Sequence, residues 1–182
     1  MIVVRNITDK MHEDELKELI YSYYDETYGG VFSKIPFKAV RDYFTGSKAF
    51  ARADLNDLYN KETNSKAIGI YDGEVLVGFA CIHVHEGNGE LYNMYIKPEF
   101  RERFLSEYKK GSLSANLMTS LVREFESSGA GEIVVSAPHS KEFMLKLFED
   151  MGFNLDTITG EEIIYSKSIE AVSYTHLRAH ET

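Results

Sequence analysis

The stretch Gly89-Glu-Leu-Tyr-Asn-Met-Tyr-Ile-Lys-Pro-Glu-Phe-Arg101, followed by Lys109-Lys-Gly-Ser-Leu-Ser-Ala-Asn-Leu-Met118, decides how this chain is read. Leu91 to Ile96 reads as a strand, and the proline at position 98, which has no amide donor, marks its end. A basic loop follows. Then comes an amphipathic helix whose stripe is Leu113, Leu117, Met118, Leu121, Val122 and Phe125. A helix that opens on small residues offers N–H groups and the positive end of its dipole, which suits a pyrophosphate. Flanking cations such as Arg101, Lys109 and Lys110 would neutralise such a ligand. A solvated turn can have the same composition, so this segment alone leaves both readings open.

Upstream of it the pattern alternates with period two. Ala67 to Tyr71 and Val75 to His85 read as strands joined at Asp72-Gly73, and Asn88-Gly89 leads into the third strand. Both dipeptides favour tight hairpin turns. Ile2 to Ile7 reads as a first strand. The run from Met11 to Tyr24 reads as a helix with Leu16, Leu19, Ile20 and Tyr23 on one face, and Ile35 to Tyr59 as helical with a break near Gly46-Ser47. The polar stretch Asn60 to Ser65 closes this half.

Downstream, Gly129 and Gly131 end the helix, and Glu132 to Ala137 reads as a buried strand. Ser140 is placed to cap a helix whose face is Phe143, Met144, Leu147 and Phe148. Gly152-Phe153 stops that helix, and a hairpin around Gly160 joins Phe153–Ile158 to Ile163–Tyr165. The expected fold is α/β, a mixed and mostly antiparallel central sheet with helices on both faces, in a single domain over residues 1–170.

Composition narrows the function. The 182 residues carry a net charge of −9, which argues against nucleic acid as a partner, since phosphate neutralisation needs a basic face. An acidic balance suits a cationic acceptor and equally serves solubility. One cysteine, Cys81, allows no intrachain disulfide. No apolar run approaches the ~20 residues of a membrane helix, and the start lacks the layout of a secretory signal, so the cytoplasm is the expected location. Val172 to Thr182 has no apolar period and resembles the translation of a transposase-type sequencing adapter. With the alternative of a flexible tail, residues 171–182 are set aside from fold and function.

The Glu90 to Arg101 strand and the loop-helix after it resemble the acetyl-CoA motif of the GNAT N-acetyltransferases. Phe148-Glu-Asp-Met-Gly-Phe153 is similar to that family's second signature. The element order agrees from Ala67 to Tyr165. The resemblance implies an acyltransferase moving an acetyl group from acetyl-CoA to a primary amine of a small molecule or peptide, by direct attack in a ternary complex. It implies that the backbone of Met94 and Ile96, either side of Tyr95, pairs with the pantetheine arm. Gly111, Ser112, Leu113 and Ser114 would cradle the pyrophosphate, with Arg101, Lys109 and Lys110 as cations and Ser140 near the arm. Homodimers occur in the family.

Two features depart from the family pattern. Glu102 to Lys109 intervenes before the small-residue loop, so Arg101 and Lys109 compete for one role. Phe148 stands where the family often has a tyrosine that reprotonates the thiolate, and a phenyl ring gives up no proton. Glu90 is the candidate base, with a solvated glutamate after a turn as the alternative. If the Asn88-Gly89 turn sets the register, His85 lies opposite Tyr92 and near Glu90.

Cys81, His83 and His85 alternate along one strand, yet they make a poor zinc set without a fourth ligand, and no metal is expected. The aromatic and acidic run Tyr21, Tyr23, Tyr24, Asp25, Glu26 and Tyr28 is the best pointer to the acceptor, through cation–π and carboxylate contacts. Half-buried tyrosines beside a solvated face explain it as well. The rival function is a degenerate CoA-binding sensor or interaction domain without catalysis. A third is an enzyme of another family with the same layout.

Overall fold

The computed structural model describes residues 2–7, 12–32, 34, 47–59, 65–109, 112–138, 141–160 and 162–169. Residues 35–46, Lys110, Gly111, Ser140 and the tail, all read above, lie outside this set. The strands are β1 Ile2–Asn6, β2 Ser65–Asp72, β3 Val75–His85, β4 Asn88–Ile96, β5 Glu132–Pro138, β6 Asn154–Ile158 and β7 Glu162–Ser168. The helices are α1 Glu13–Phe32, α2 Ser47–Tyr59, α3 Pro98–Lys109, α4 Ser112–Ser127 and α5 Glu142–Asp150.

One seven-stranded sheet runs β1-β2-β3-β4-β5-β7-β6. Every neighbouring pair is antiparallel except β4 and β5, which are parallel. A parallel pair needs a crossover, and α3 with α4 provides it. The expected mixed, mostly antiparallel sheet is therefore found.

Helices cover both faces, as the alternation predicted. Along β2, Ala67 and Tyr71 pack with Leu16, Leu19 and Ile20 of α1 and Leu55 of α2. Ile68 and Ile70 belong instead to the opposite core, with Phe104 of α3, Leu121 and Phe125 of α4, and Leu147 of α5. Adjacent side chains of a strand point to opposite faces, so one strand feeds two cores. Among the described residues no helix is long and apolar enough to cross a membrane.

Three expectations need correction. The β3–β4 turn is Glu86-Gly87, both at positive φ (50° and 81°), with His85 paired to Asn88. His83, not His85, therefore faces the Glu90 position, and His85 is not opposite Tyr92. Gly89 is a packing glycine: a Cβ there would lie 2.2 Å from the Phe125 ring of α4. Likewise the β2–β3 loop is Gly73-Glu74, with Asp72 still paired to Val75.

The expected basic loop after Pro98 is the helix α3. Proline suits a first helical position because its missing amide would have no partner there, and Phe100, Phe104 and Leu105 face the core. Finally, α1 runs on past Tyr24 to Phe32.

Candidate functional site

The sheet opens where its two parallel strands part. β4 pairs with β5 only from Asn88 to Leu91, opposite Glu132 to Val135. Beyond that point Ser136 to Pro138 of β5 pair with β7 alone, whereas β4 continues along β3 to Ile96. The amide of Lys97 donates to Val77 on β3 at 3.0 Å. Backbone groups alternate in direction along a strand, so those of Met94 and Ile96 face the gap. Arg101 marks that side: its Nε donates to the Ile96 carbonyl at 2.9 Å. Such an edge can pair with an extended ligand carrying amides.

A β-bulge shapes the same stretch. The β3–β4 register shifts between Cys81 and Ile82, leaving Tyr92 as the extra residue. Tyr92 and Asn93 consequently both turn toward α1 and α2, where strict alternation would have separated them.

The gap forms a cleft of roughly 510 Å³, its open mouth included. Met94 and Ile96 of β4, Ser136 and Ala137 of β5, Tyr23 of α1 and Phe148 of α5 are among its walls. Three charges meet at its rim. Glu26 of α1 accepts from Arg101 Nη2 at 2.7 Å and from Lys141 Nζ at 2.7 Å. Burial alone would raise the Glu26 pKa, but the hydrogen bonds from Arg101 and Lys141 prevail and hold it below the ordinary value. The Arg101 guanidinium also lies 5.5 Å from the Tyr95 ring and 5.7 Å from that of Phe143.

Met94, Tyr95, Ile96, Arg101 and Phe148 thus come together in one cleft. Lys109 stands apart from Arg101 and from the cleft lining. It lies exposed at the far end of α3, about 12 Å further along the helix axis. Ser112, Leu113 and Ser114 fall in the first turn of α4, so the helix opens on small residues as read. The N-cap position of α5 belongs to Lys141, without a side-chain cap bond. Glu90 is exposed, paired in register with His83 and Val134, and outside the cleft lining.

Phe148 has a structural duty as well. The amides of Phe153 and Gly152 donate to the carbonyls of Phe148 (3.1 Å) and Glu149 (2.9 Å), with Gly152 at φ 77°. This pair of bonds is a Schellman cap, and the Phe148 and Phe153 rings close it at 6.0 Å. The second signature segment is therefore a helix stop that also presents a ring to the cleft.

Cys81 is fully buried, and burial pushes its thiol well above the ordinary range, so it stays protonated and is no acyl carrier. His83 shares a 3.0 Å hydrogen bond with Ser65. Among the described residues no three His, Cys, Asp or Glu converge as a metal set.

Sequence reading missed Lys141, Asn93 and Asp54. Asn93, only 6% exposed, donates from Nδ2 to Asp54 Oδ2 at 2.7 Å, and the Tyr24 hydroxyl donates to the same oxygen at 2.9 Å. Burial raises the Asp54 pKa to about 6 against the opposing effect of the Tyr24 and Asn93 hydrogen bonds. A signal for Asn93 was present: an amide in an otherwise apolar strand marks a break in alternation. Asp54 gave none, because only tertiary packing brings α2 against the bulge.

The profile of the acetyltransferase (GNAT) family matches residues 20–153. The fold is similar to the PaiA N-acetyltransferase of Thermoplasma acidophilum, solved with coenzyme A, at TM-score 0.65 and 15% identity, covering 92% of this chain and 99% of that one. It is also similar to the ribosomal-protein-S18-alanine N-acetyltransferase of Escherichia coli (TM-score 0.57, 17% identity, 93% and 94% covered). A Bacillus subtilis acetyltransferase in complex with CoA gives TM-score 0.55 at 11% identity, with 92% and 99% covered. Among curated proteins none matches the sequence.

Proposed function

Because the chain belongs to the GNAT acetyltransferase family, we propose that it moves an acetyl group from acetyl-CoA to a primary amine by direct attack in a ternary complex. Acetyl-CoA supplies an activated acyl thioester. The observation that carries this reading is the parting of β4 from β5 after Leu91, which turns the backbone of Met94 and Ile96 into an apolar cleft. That donor and acceptor set fits an extended arm with amides, and the small-residue start of α4 suits its phosphates.

The chain's own work is positioning and proton removal. Backbone amides at the gap would polarise the acyl carbonyl, and the cleft walls would fix its approach. An amine protonated at neutral pH cannot attack, so a carboxylate must take its proton. Glu90, expected in that role, is exposed at the head of β4 and outside the cleft lining, which favours a carboxylate nearer the cleft. Phe148 brings no hydroxyl to the leaving thiolate, which favours the rival reading of a CoA-binding domain without turnover.

Thiol release from acetyl-CoA in the presence of a panel of amines separates the two. An amine-dependent release is expected. Binding of acetyl-CoA with no release for any amine would leave the sensor reading.

A further inference from the structure

Asp54 differs from three carboxylates that are held by cations, Glu26, Asp72 and Glu107. Glu26 faces two cations, and Asp72 and Glu107 both pair with Arg103. No Lys or Arg among the described residues pairs with Asp54. Both of its hydrogen-bond donors, Tyr24 and Asn93, converge on Oδ2, which leaves Oδ1 with no donor among those residues. A desolvated, oriented and uncompensated carboxylate costs stability and is by its chemistry a receptor for a cation.

Its surroundings complete such a receptor. The Tyr24 ring stacks on Phe50 at 5.2 Å and lies 6.1 Å from Tyr28, so aromatic faces adjoin the carboxylate. Rings of this kind attract alkylammonium groups. Asn93 lies between Tyr92 and Met94, and both of these line the cleft, as does Tyr23. Asp54 is 2.7 Å from Asn93 Nδ2, and its other donor, Tyr24, lies ring to ring with Tyr23 at 5.1 Å, so the carboxylate sits directly behind the tyrosine wall of the cleft.

We propose that Asp54, held by Asn93 and Tyr24, is the carboxylate that receives the acceptor, a cationic aliphatic primary amine, and takes its proton before transfer. This rests on the transferase reading above and gives its acceptor a charge and an anchor. In the step, the ammonium passes one proton to Asp54 Oδ1 and the freed nitrogen pair forms a bond to the acyl carbon. The carbon–sulfur bond breaks with its electrons going to sulfur. The nitrogen's second proton goes to that thiolate, and Asp54 later returns its proton to water.

The groups facing Asp54 are Tyr23 and Tyr24 from α1, Asp57 from α2, Cys81 from β3, and Tyr92 and Asn93 from β4. The tyrosines and the cysteine are held neutral by burial, and the Asp57 charge opposes ionisation of Asp54. Among the described residues, no facing group other than Asp57 brings a charge.

The test uses the full chain with n-butylamine and 1,4-diaminobutane as probes. Thiol release is followed against pH in the wild type, Asp54→Asn and Asp54→Glu, with acetyl-CoA affinity measured on the same samples. Asparagine keeps the side chain's shape, so acetyl-CoA affinity should hold within about twofold. The amine kcat/KM should fall about 100-fold or more, the wild-type inflection near pH 6 should vanish, and glutamate should restore part of the rate.

Two results would overturn the proposal while leaving the transferase reading intact. One is an Asp54→Asn enzyme within threefold of wild type at every pH; the other is a wild type that binds acetyl-CoA yet turns over neither amine. Loss of acetyl-CoA binding in the wild type would instead defeat the transferase reading. A second measurement stands apart from activity: the carboxyl ¹³C titration of Asp54 should move at least one pH unit lower with saturating 1,4-diaminobutane. A titration that does not move overturns the proposal on its own.

Discussion

Arg101 on α3 donates to Glu26 on α1 at 2.7 Å while its Nε holds the Ile96 carbonyl at 2.9 Å. One side chain therefore ties two helices to the open edge of the sheet. Lys141 meets the same carboxylate from the start of α5. A single negative charge thus offsets two positive ones at the rim of a cleft read as the seat of a multiply anionic co-substrate.

Replacing Glu26 with Gln should uncover both cations. Acetyl-CoA affinity should rise two- to tenfold, up to about 1.4 kcal/mol, with a larger gain at low salt. Calorimetry at two ionic strengths checks this. An affinity that is unchanged at low salt would mean that the rim charges do not face the phosphates.

The Schellman cap makes a stability prediction that is independent of catalysis. Phe148→Ala removes a ring only 1% exposed together with its contact to Phe153, and should cost about 3–5 kcal/mol in urea unfolding. Phe148→Tyr keeps the ring and its contact with Phe153 at the cleft wall, and should retain the fold. It should hold or raise the rate of thiol release by restoring an acid near sulfur. A tyrosine variant that binds acetyl-CoA but releases no thiol would favour the sensor reading.

Gly87 in the β3–β4 turn and Gly89 in β4 should respond to substitution for different reasons. Gly87→Ala forces a side chain into positive φ and should cost roughly 1–2 kcal/mol. Gly89→Ala drives a Cβ to 2.2 Å from the Phe125 ring and should cost about 1–3 kcal/mol by overpacking. A Phe125→Leu replacement should rescue only the second, which thermal unfolding of the double variants would show.

Asp54 should leave a signature in stability as well. Its folded pKa, about 6, lies above the ordinary value of 3.8 that holds in the unfolded chain. The protonated form is thus favoured in the folded state, and its contribution is fully present below about pH 4. It is lost as pH rises through about 6. Asp54→Asn should therefore be more stable than wild type at pH 7, by roughly 1–2 kcal/mol once partial exposure is discounted. The two should converge at pH 4. Equal stability at both pH values would remove the uncompensated carboxylate from the account.

Much of the fold was legible because local and tertiary signals agree. Period-two apolar residues in β2 to β4 and the stripe of α4 are set by the two cores they feed. Where one residue type serves two purposes, the reading slips. Gly89 looks like a turn glycine, but Phe125 requires it. Pro98 looks like a strand stop, yet it is also the start of α3. Of the site, the Met94–Ile96 edge and Arg101 could be found from their motif. Asn93 left only the trace of an amide in an apolar strand, and Lys141 and Asp54 left none, since each acquires its role from an element distant in the chain.

The most direct test of the central claim is calorimetric titration of acetyl-CoA into the wild type and Arg101→Ala. The account predicts one site of micromolar affinity, weakened about tenfold or more in the variant, a loss of at least 1.4 kcal/mol. No heat of binding at millimolar acetyl-CoA would contradict it.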